Sequence, residues 1–262
     1  KNMTEIPYGG ALEIAAAIRD KRLSATQYLE YVLNRIEQHD PALNSVITLN
    51  ADAALTAAHE ADQAVSDGAV LGPLHGVPFG LKDIIDAANL PTTAHSRIYA
   101  NNIPLQDAAV TAHLKQCGAI LVAKLATHEF AFGGPSFDLP WPPARIPWDT
   151  RMFTGGSSSG SGAAIAAGFM PLALGTDTGG SVRNPASLCG IVGMKATYGR
   201  VSRRGVVPLA FSLDHVGTMT RTVSDNAALL QVISGYDPRD SASAQVSVPD
   251  YLSAVERGRT QG

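Results

Sequence analysis

The sequence is poor in aromatic residues and in charge, and it contains no long apolar run. Aromatic residues make up 6% and charged residues 16% of the 262 positions, and the formal net charge is −3. Without an excess of lysine and arginine, neither nucleic acid nor an anionic membrane is an expected partner. No apolar run approaches the roughly 18 residues of a membrane-spanning helix. Residues 1–5 also lack the apolar region of a secretory signal, so we expect a cytoplasmic protein.

Cysteine and metal-ligand patterns are equally sparse. The two cysteines, Cys117 and Cys189, each lie in an apolar segment rich in alanine and glycine. Such surroundings are typical of small buried side chains, so we predict two free core thiols and no disulfide. His128 and Glu129 are not followed by the second histidine of a zinc-binding helix, and the other histidines lack ligand spacing. We therefore expect neither a metal nor another cofactor.

The N-terminal part of the chain has a helical pattern. Hydrophobic residues account for 45% of the sequence, which is enough for a sizeable core at this length. Residues 1–65 are rich in alanine with apolar residues at helical spacing, which predicts a helical lead-in. Ser24 and Gln27 have the spacing of a capping box, and Pro41 is expected to end the helix that follows. Residues 66–262 form the predicted core of the same domain.

From Gly72 onwards, short apolar runs alternate with glycine and proline, which indicates buried strands. The predicted strands are 77–81, 119–122 and 172–174. A helix at 107–115 lies between the first two, and this order predicts an α/β fold, an α/β/α layered sandwich around a mixed, mostly buried β-sheet. The apolar segment 190–194 is expected to be another central strand.

A proline-rich stretch at 133–150 fits neither helical nor strand periodicity. We predict a long ordered loop, and loops of this kind often border functional sites. Trp141 and Trp148 lie within it. Their aromatic surfaces would favour an apolar or aromatic group of a substrate.

The glycine-rich run Gly155–Gly162 admits several interpretations. A phosphate-binding loop would end in glycine-lysine, but no lysine follows before Lys195. Ser158 satisfies the Gly-x-Ser-x-Gly pattern of an α/β-hydrolase nucleophile, but residues 148–154 do not resemble the apolar strand that should precede it. A flexible linker is not expected inside a compact domain. The favoured interpretation is a turn that presents Ser157 inward and leads into an alanine-rich helix, with Ser158 as the alternative nucleophile.

A second glycine-rich loop follows the strand that ends at Leu174. It turns through Gly179 and Gly180 and reaches Ser181, where a helix is predicted to begin. Consecutive glycines let backbone amides converge on one point, and a helix N-terminus favours negative charge. These are the elements of an oxyanion hole.

Lys82 follows the predicted strand 77–81. A lysine at such a position is often a surface residue whose amine stays in water. Burial would instead lower its pKa and let the neutral amine act as a base near pH 7. Together with the two serine loops, Lys82 indicates a Ser-Ser-Lys amide hydrolase.

From about Ala11 to Asp237 the chain resembles the N-terminal half of an amidase signature enzyme. The motifs that carry the resemblance are Gly155–Ala164, Gly175–Ser181, Cys189–Gly193 and Tyr198–Ser202. The resemblance implies that Ser181 is the nucleophile, Ser157 the bridging serine and Lys82 the base, with a cis peptide bond between Gly156 and Ser157. In the implied relay, neutral Lys82 takes a proton from Ser157, which takes one from Ser181, and the proton returns to the departing amine.

The resemblance also implies supporting groups. The implied oxyanion donors are the backbone amides of Thr178, Gly179, Gly180 and Ser181. Asp177 and Arg183 would fix this loop through a charge pair, with a surface ion pair of little consequence as the alternative. The implied activity is hydrolysis of a carbon–nitrogen bond in a small-molecule amide, or in a related carbamate or urea, through a serine acyl-enzyme.

Three departures from the family pattern bear on partners. They are Ile146-Pro147-Trp148, Lys195-Ala196-Thr197, and Asn184 directly after Arg183. They favour a stand-alone hydrolase over the alternative, an A-subunit-like component of a glutamine amidotransferase that acts on misacylated tRNA. A homodimer and a non-catalytic structural subunit both stay open. Because family members are longer, we expect the functional polypeptide to continue beyond Gly262.

Overall fold

A computed structural model describes residues 8–259 of the chain. The helices are α1 (Ala11–Arg19), α2 (Ala25–Leu43), α3 (Ala51–Ser66), α4 (Ala109–Gln116), α5 (Ser159–Ala166), α6 (Arg183–Cys189), α7 (Val223–Ile233) and α8 (Tyr251–Arg259). The strands are β1 (Val46–Leu49), β2 (Pro78–Lys82), β3 (Ile120–Leu125), β4 (Arg145–Ile146), β5 (Asp149–Phe153), β6 (Leu172–Asp177), β7 (Val192–Lys195) and β8 (His215–Thr220). Single 3₁₀ turns lie at Arg97–Tyr99 and Glu129–Ala131.

Six of these strands form one mixed sheet in the order β1-β3-β2-β6-β8-β7. β2 pairs in parallel with both β3 and β6, and the other pairs are antiparallel. Every residue of β2, β3 and β6 is buried, as expected for parallel strands covered on both faces. Parallel pairing places Lys82, the last residue of β2, at the same edge of the sheet as Asp177, the last residue of β6.

Helices complete the layers around this sheet. α5 contacts β2, β3 and β6 and packs against α6, whereas α7 contacts β7 and β8 and packs against α1 and α4. The predicted α/β/α layered sandwich around a mixed sheet is therefore confirmed. None of the helices within residues 8–259 is long and apolar enough to cross a membrane. Both cysteines are free, with Cys189 buried and Cys117 only partly buried.

The N-terminal region differs from its prediction in two details. The capping box of Ser24 and Gln27 is present, but α2 continues past Pro41 to Leu43. Pro41 lacks the N–H for a helical hydrogen bond, but only two more helical residues follow it before Asn44 ends the helix in the left-handed conformation at φ 52°. The region expected to be helical also contributes β1, which pairs with β3 at one edge of the sheet. Four residues between two helices are too few for a clear period-2 pattern.

Two expectations for the later strands were wrong. Segment 190–194 was expected to be central, but β7 is an edge strand with partly exposed residues, paired only with β8 among residues 8–259. Apolar content distinguishes strand from loop but not the centre of a sheet from its edge. The expected loop at 133–150 contains β4 and the start of β5, which form a separate two-stranded hairpin.

Candidate active site

The three predicted catalytic side chains lie near the carboxyl-terminal ends of the parallel strands, one at the end of a strand and two in loops. Lys82 ends β2, Ser157 lies in the loop before α5, and Ser181 lies between β6 and α6. α5 contacts β2, β3 and β6, and it packs against α6. The topology therefore brings both glycine-rich loops to the end of β2.

Lys82 is completely buried and makes two side-chain hydrogen bonds. Its Nζ lies 2.7 Å from Ser157 Oγ and 2.8 Å from Thr176 Oγ1. Burial lowers the pKa of Lys82 to about 7, although the carboxylates of Asp177 and Asp214 raise it. A substantial fraction of this amine is therefore neutral near pH 7 and able to accept a proton.

The Ser157 loop is fixed from two sides. The peptide bond between Gly156 and Ser157 is cis, as the resemblance implied. The Gly156 amide donates to Asn184 Oδ1 at 3.1 Å, and the His128 amide donates to the Ser157 carbonyl at 3.1 Å. Ser157 itself is buried, and its hydroxyl lies against the Lys82 amine. Sequence position alone could not show that Asn184 and His128 hold this loop.

Ser181 joins this arrangement through its backbone. Its carbonyl accepts the Ser158 amide at 3.1 Å, which ties the second glycine-rich loop to the residue after Ser157. Ser181 is half-buried, in contrast to Ser157. Within residues 8–259 its hydroxyl forms no hydrogen bond, so Oγ is available to an incoming group.

The expected set of oxyanion donors needs one correction. The Gly180 amide donates to Asp177 Oδ1 at 2.9 Å and is therefore already paired. The amides of Thr178, Gly179 and Ser181 have no partner in the described part of the chain. Gly180 has φ 138°, a conformation that L side chains rarely adopt, so its glycine is required for the turn.

Asp177 accepts more hydrogen bonds than the predicted charge pair with Arg183 alone would provide. Arg183 donates to it from Nε and Nη2, both at 2.9 Å, and the amides of Gly180, Val182 and Arg183 also donate to this carboxylate. Burial by itself raises the pKa of Asp177, but these hydrogen bonds outweigh it and hold the pKa below its ordinary value. A fully buried carboxylate with this many loop amides is not a surface ion pair of little consequence.

The alternative nucleophile, Ser158, is buried and engaged. Its Oγ donates to the Thr176 carbonyl at 3.2 Å and accepts the Thr176 amide at 3.2 Å. The hydroxyl thus links α5 to β6, and this geometry argues against Ser158 as a nucleophile.

The two tryptophans do not form a shared surface. His95 Nε2 donates to the Trp141 carbonyl at 2.8 Å, and the two rings meet edge to face. The loop around Trp141 walls a small cavity of about 10 Å³ that His95 and His128 also line. Trp148 is exposed elsewhere and donates its indole N–H to the Cys189 carbonyl at 2.8 Å. Only the Trp141 part of the loop borders the catalytic region, through His128.

Thr176 and Asp214 are site residues that sequence reasoning missed. Thr176 is the second partner of the Lys82 amine, and Asp214 accepts a hydrogen bond from Thr178 Oγ1 at 2.6 Å. A threonine near the end of a buried strand, directly before the second glycine-rich loop, is the one signal that could have identified Thr176. No local pattern marks Asp214.

Known proteins resemble this chain closely. The A subunit of glutamyl-tRNA(Gln) amidotransferase from Carboxydothermus hydrogenoformans is 45% identical over 253 residues, which cover 97% of this chain and 52% of that protein. The native peptide amidase from Stenotrophomonas maltophilia superposes with a TM-score of 0.87 at 35% identity, covering 94% of this chain and 52% of that one. A chain from a vestigial protein complex that reveals the origins of an s-triazine catabolic enzyme gives a TM-score of 0.92 at 37% identity, over 95% of this chain and 55% of that one.

The chain spans about half the length of the curated relatives that it matches. The family model described as Amidase matches residues 27–261, which include both glycine-rich loops and Lys82. Together with the mixed sheet shared with the solved structures, this match shows that the chain belongs to the Amidase family.

Proposed function

We propose that this chain carries the catalytic centre for hydrolysis of a carbon–nitrogen bond in a small-molecule amide, through an acyl-enzyme on Ser181. The observation that carries the proposal is the contact between Lys82 and Ser157, 2.7 Å between a completely buried amine and a buried hydroxyl. A lysine with a pKa of about 7 is suited to general base catalysis at neutral pH. Related carbamates and ureas belong to the same proposed substrate class.

The relay begins with neutral Lys82. Its two N–H groups and one lone pair allow it to donate to Thr176 Oγ1 while it accepts the Ser157 proton. The Ser181 hydroxyl, which forms no hydrogen bond among residues 8–259, would turn to Ser157 and give it its proton as Ser181 Oγ bonds to the amide carbonyl carbon. A tetrahedral intermediate forms with the negative charge on the former carbonyl oxygen.

The second glycine-rich loop receives that charge. Thr178, Gly179 and Ser181 supply free amides, and Asp177 holds the backbone on both sides of Ser181 through the amides of Gly180 and Val182. As the intermediate collapses, the carbon–nitrogen bond breaks and the proton passes from Lys82 through Ser157 to the departing nitrogen. Water then repeats the sequence on the acyl-enzyme, which releases the carboxylic acid and regenerates the Ser181 hydroxyl.

A second candidate function follows from the curated relatives. The A subunit of the glutamyl-tRNA(Gln) amidotransferase is 45% identical to this chain, so the same acyl-enzyme could form from glutamine and the ammonia could pass to misacylated tRNA. We favour the stand-alone hydrolase because of the sequence departures around Asn184 and Trp148 and because of the likeness to a peptide amidase. The two functions share the proposed chemistry at Ser181. They differ in the fate of the leaving nitrogen, which is released in hydrolysis and passed to misacylated tRNA in the amidotransferase.

Covalent labelling tests the shared chemistry. The complete gene product is treated with a serine-directed fluorophosphonate and digested, and the modified peptide is identified by mass spectrometry. We expect the adduct on Ser181. An adduct on Ser158 would support the α/β-hydrolase alternative, and a folded protein without any adduct would support a non-catalytic role in a complex.

Ammonia release from a panel of primary amides and glutamine then separates the two candidate functions, since activity confined to glutamine would support the amidotransferase component.

A further inference from the structure

Residues 206–214 form a loop, here called the Asp214 loop, that lies beside the second glycine-rich loop. Asp214 is half-buried, and its carboxylate accepts hydrogen bonds from three donor groups. Thr178 Oγ1 donates to Oδ1 at 2.6 Å. The Leu209 amide donates to Oδ2 at 2.9 Å, and the Ala210 amide lies 3.0 Å from Oδ1 and 2.9 Å from Oδ2. One carboxylate therefore joins the start of the glycine-rich loop to the Asp214 loop.

A small cavity of about 10 Å³ lies at this junction. Its wall includes Thr176, Thr178, Leu209 and Asp214. Thr176 is also the second hydrogen-bond partner of the Lys82 amine. The Asp214 loop thus faces both the proposed oxyanion donors and the residue that orients the proposed base.

Resting on the proposed function, we propose that Asp214 is a positioning residue for amide hydrolysis: it fixes Thr178, and with it the Thr178 amide, and it places a negative charge near Lys82. Two aspartates would then hold the glycine-rich loop from opposite ends. Asp177 binds the amides of Gly180 and Val182, whereas Asp214 binds the side chain of Thr178. Between them, a side chain at Gly179 would meet no atom within 4 Å, so packing does not restrain that residue.

The charged groups that face Lys82 come from several elements. Asp177 at the end of β6 and Asp214 in its loop both raise the pKa of Lys82 against the lowering caused by burial. His128, after β3, faces the same amine. Burial lowers the pKa of His128, and the Lys82 charge lowers it further. Because the neutral amine is the proposed base, the reaction rate rises with pH through the Lys82 pKa. Removing the Asp214 charge lowers that pKa and moves the rise to lower pH.

The test measures the rate of phosphonylation of Ser181 against pH in the complete gene product. For Asp214→Asn we expect the rate at the high-pH plateau to fall about tenfold, since misplacing a preorganised oxyanion donor costs less than the roughly 100-fold or greater loss from deleting one. The acid limb should also move to lower pH. Thr178→Val should lower the plateau rate of phosphonylation to the same extent without moving the acid limb. Thr178→Ser keeps the hydroxyl and should keep the wild-type rate.

Asp107→Asn is the matched control, because Asp107 also accepts one loop amide, that of Ala88, and a side-chain donor, Lys115, without contacting a site residue. We expect neither change in this variant. Wild-type protein that gains no adduct at Ser181 would overturn the proposed function itself. Normal wild-type labelling with an unchanged rate and pH profile in Asp214→Asn would overturn only the role of Asp214. If Asp214→Asn does not fold, an unaltered rate in Thr178→Val overturns it equally.

Discussion

The two glycine-rich loops of this protein use glycine for opposite reasons. In the first loop, a Cβ at Gly160 would lie well inside van der Waals contact with the Ala126 amide and the Ser45 carbonyl, because α5 passes directly over the end of β3. In the second loop, a Cβ at Gly179 or Gly180 would meet no atom within 4 Å. The first loop needs glycine to pack, and the second needs it to turn and to leave amides accessible.

This difference matches the chemistry proposed for each loop. The first loop holds Ser157, the proposed proton carrier, which is buried and in contact with Lys82. The second holds Ser181, the proposed nucleophile, which would have to meet a substrate and is half-buried. Substitutions at tightly packed positions of the first loop should therefore affect stability and activity together, whereas a substitution at the open, unstrained Gly179 of the second loop should affect activity alone.

The largest expected effect is that of Ser181→Ala. We expect turnover to fall by at least about 10⁴-fold, because loss of a nucleophile leaves only binding and oxyanion stabilisation. The unfolding midpoint should stay at the wild-type value, since the hydroxyl has no hydrogen bond within residues 8–259. Turnover and thermal melts of the purified variant check both halves, with Ser187→Ala on the exposed surface of α6 as the control. Turnover near the wild-type level would contradict the proposed nucleophile.

Lys82→Ala should have the next largest effect. We expect activity to fall about 10²- to 10⁴-fold at neutral pH, the usual contribution of a general base, and to recover partly as pH rises because hydroxide replaces the base. In the wild-type protein, activity should rise with pH through a value near 7, since the pKa of Lys82 is lowered to about 7. Rate–pH profiles per folded molecule measure both effects.

Lys115→Ala is the control for that profile, because Lys115 forms an exposed ion pair with Asp107 away from the site. It should reproduce the wild-type curve. A Lys82→Ala protein with lower stability but undiminished turnover per folded molecule would show that the lysine is only structural.

A pair of alanine substitutions tests the comparison of the two loops directly. Gly160→Ala should lower the free energy of unfolding by about 2 kcal/mol or more, because the added methyl meets backbone atoms that cannot rotate away. Gly179→Ala should leave stability within about 0.5 kcal/mol and lower the labelling rate of Ser181 several-fold, since it adds bulk beside free amides. Urea denaturation and labelling kinetics of both variants provide the measurements. Equal destabilisation by the two substitutions would remove the distinction.

The sequence predicted the parts of this site that depend on local pattern. The existence of the two buried strands and of the turn around Ser157 follows from apolar runs and glycine spacing. The ends of the strands were predicted too early, because β2 includes Lys82 and β6 continues past Leu174 to Asp177. Long-range side-chain direction was not predictable. Nothing local indicates that Asp214, 36 residues away, reaches Thr178. The bond from the Gly180 amide to Asp177 spans only three residues and was missed although an aspartate before a glycine pair is typical of such turns. The short strand β1 and the edge position of β7 were missed because they depend on pairing, which a single sequence does not encode locally.

The smallest expected effect concerns Asn184, which connects the two loops. Its side-chain oxygen Oδ1 accepts a hydrogen bond from the Gly156 amide of the first loop. Its backbone N–H donates to the Gly180 carbonyl of the second loop at 2.7 Å. Asn184→Ala removes the side-chain link but keeps the backbone one, so we expect about 1 kcal/mol or less of lost stability and a few-fold lower labelling rate at Ser181. Asn184→Asp retains an acceptor oxygen at the same position and should lie closer to wild type in both measurements. Asn184→Ala would lower labelling as strongly as Lys82→Ala only if the Asn184 side-chain amide acted on the reacting atoms themselves. That result would contradict the contrast between the packed first loop and the open second loop.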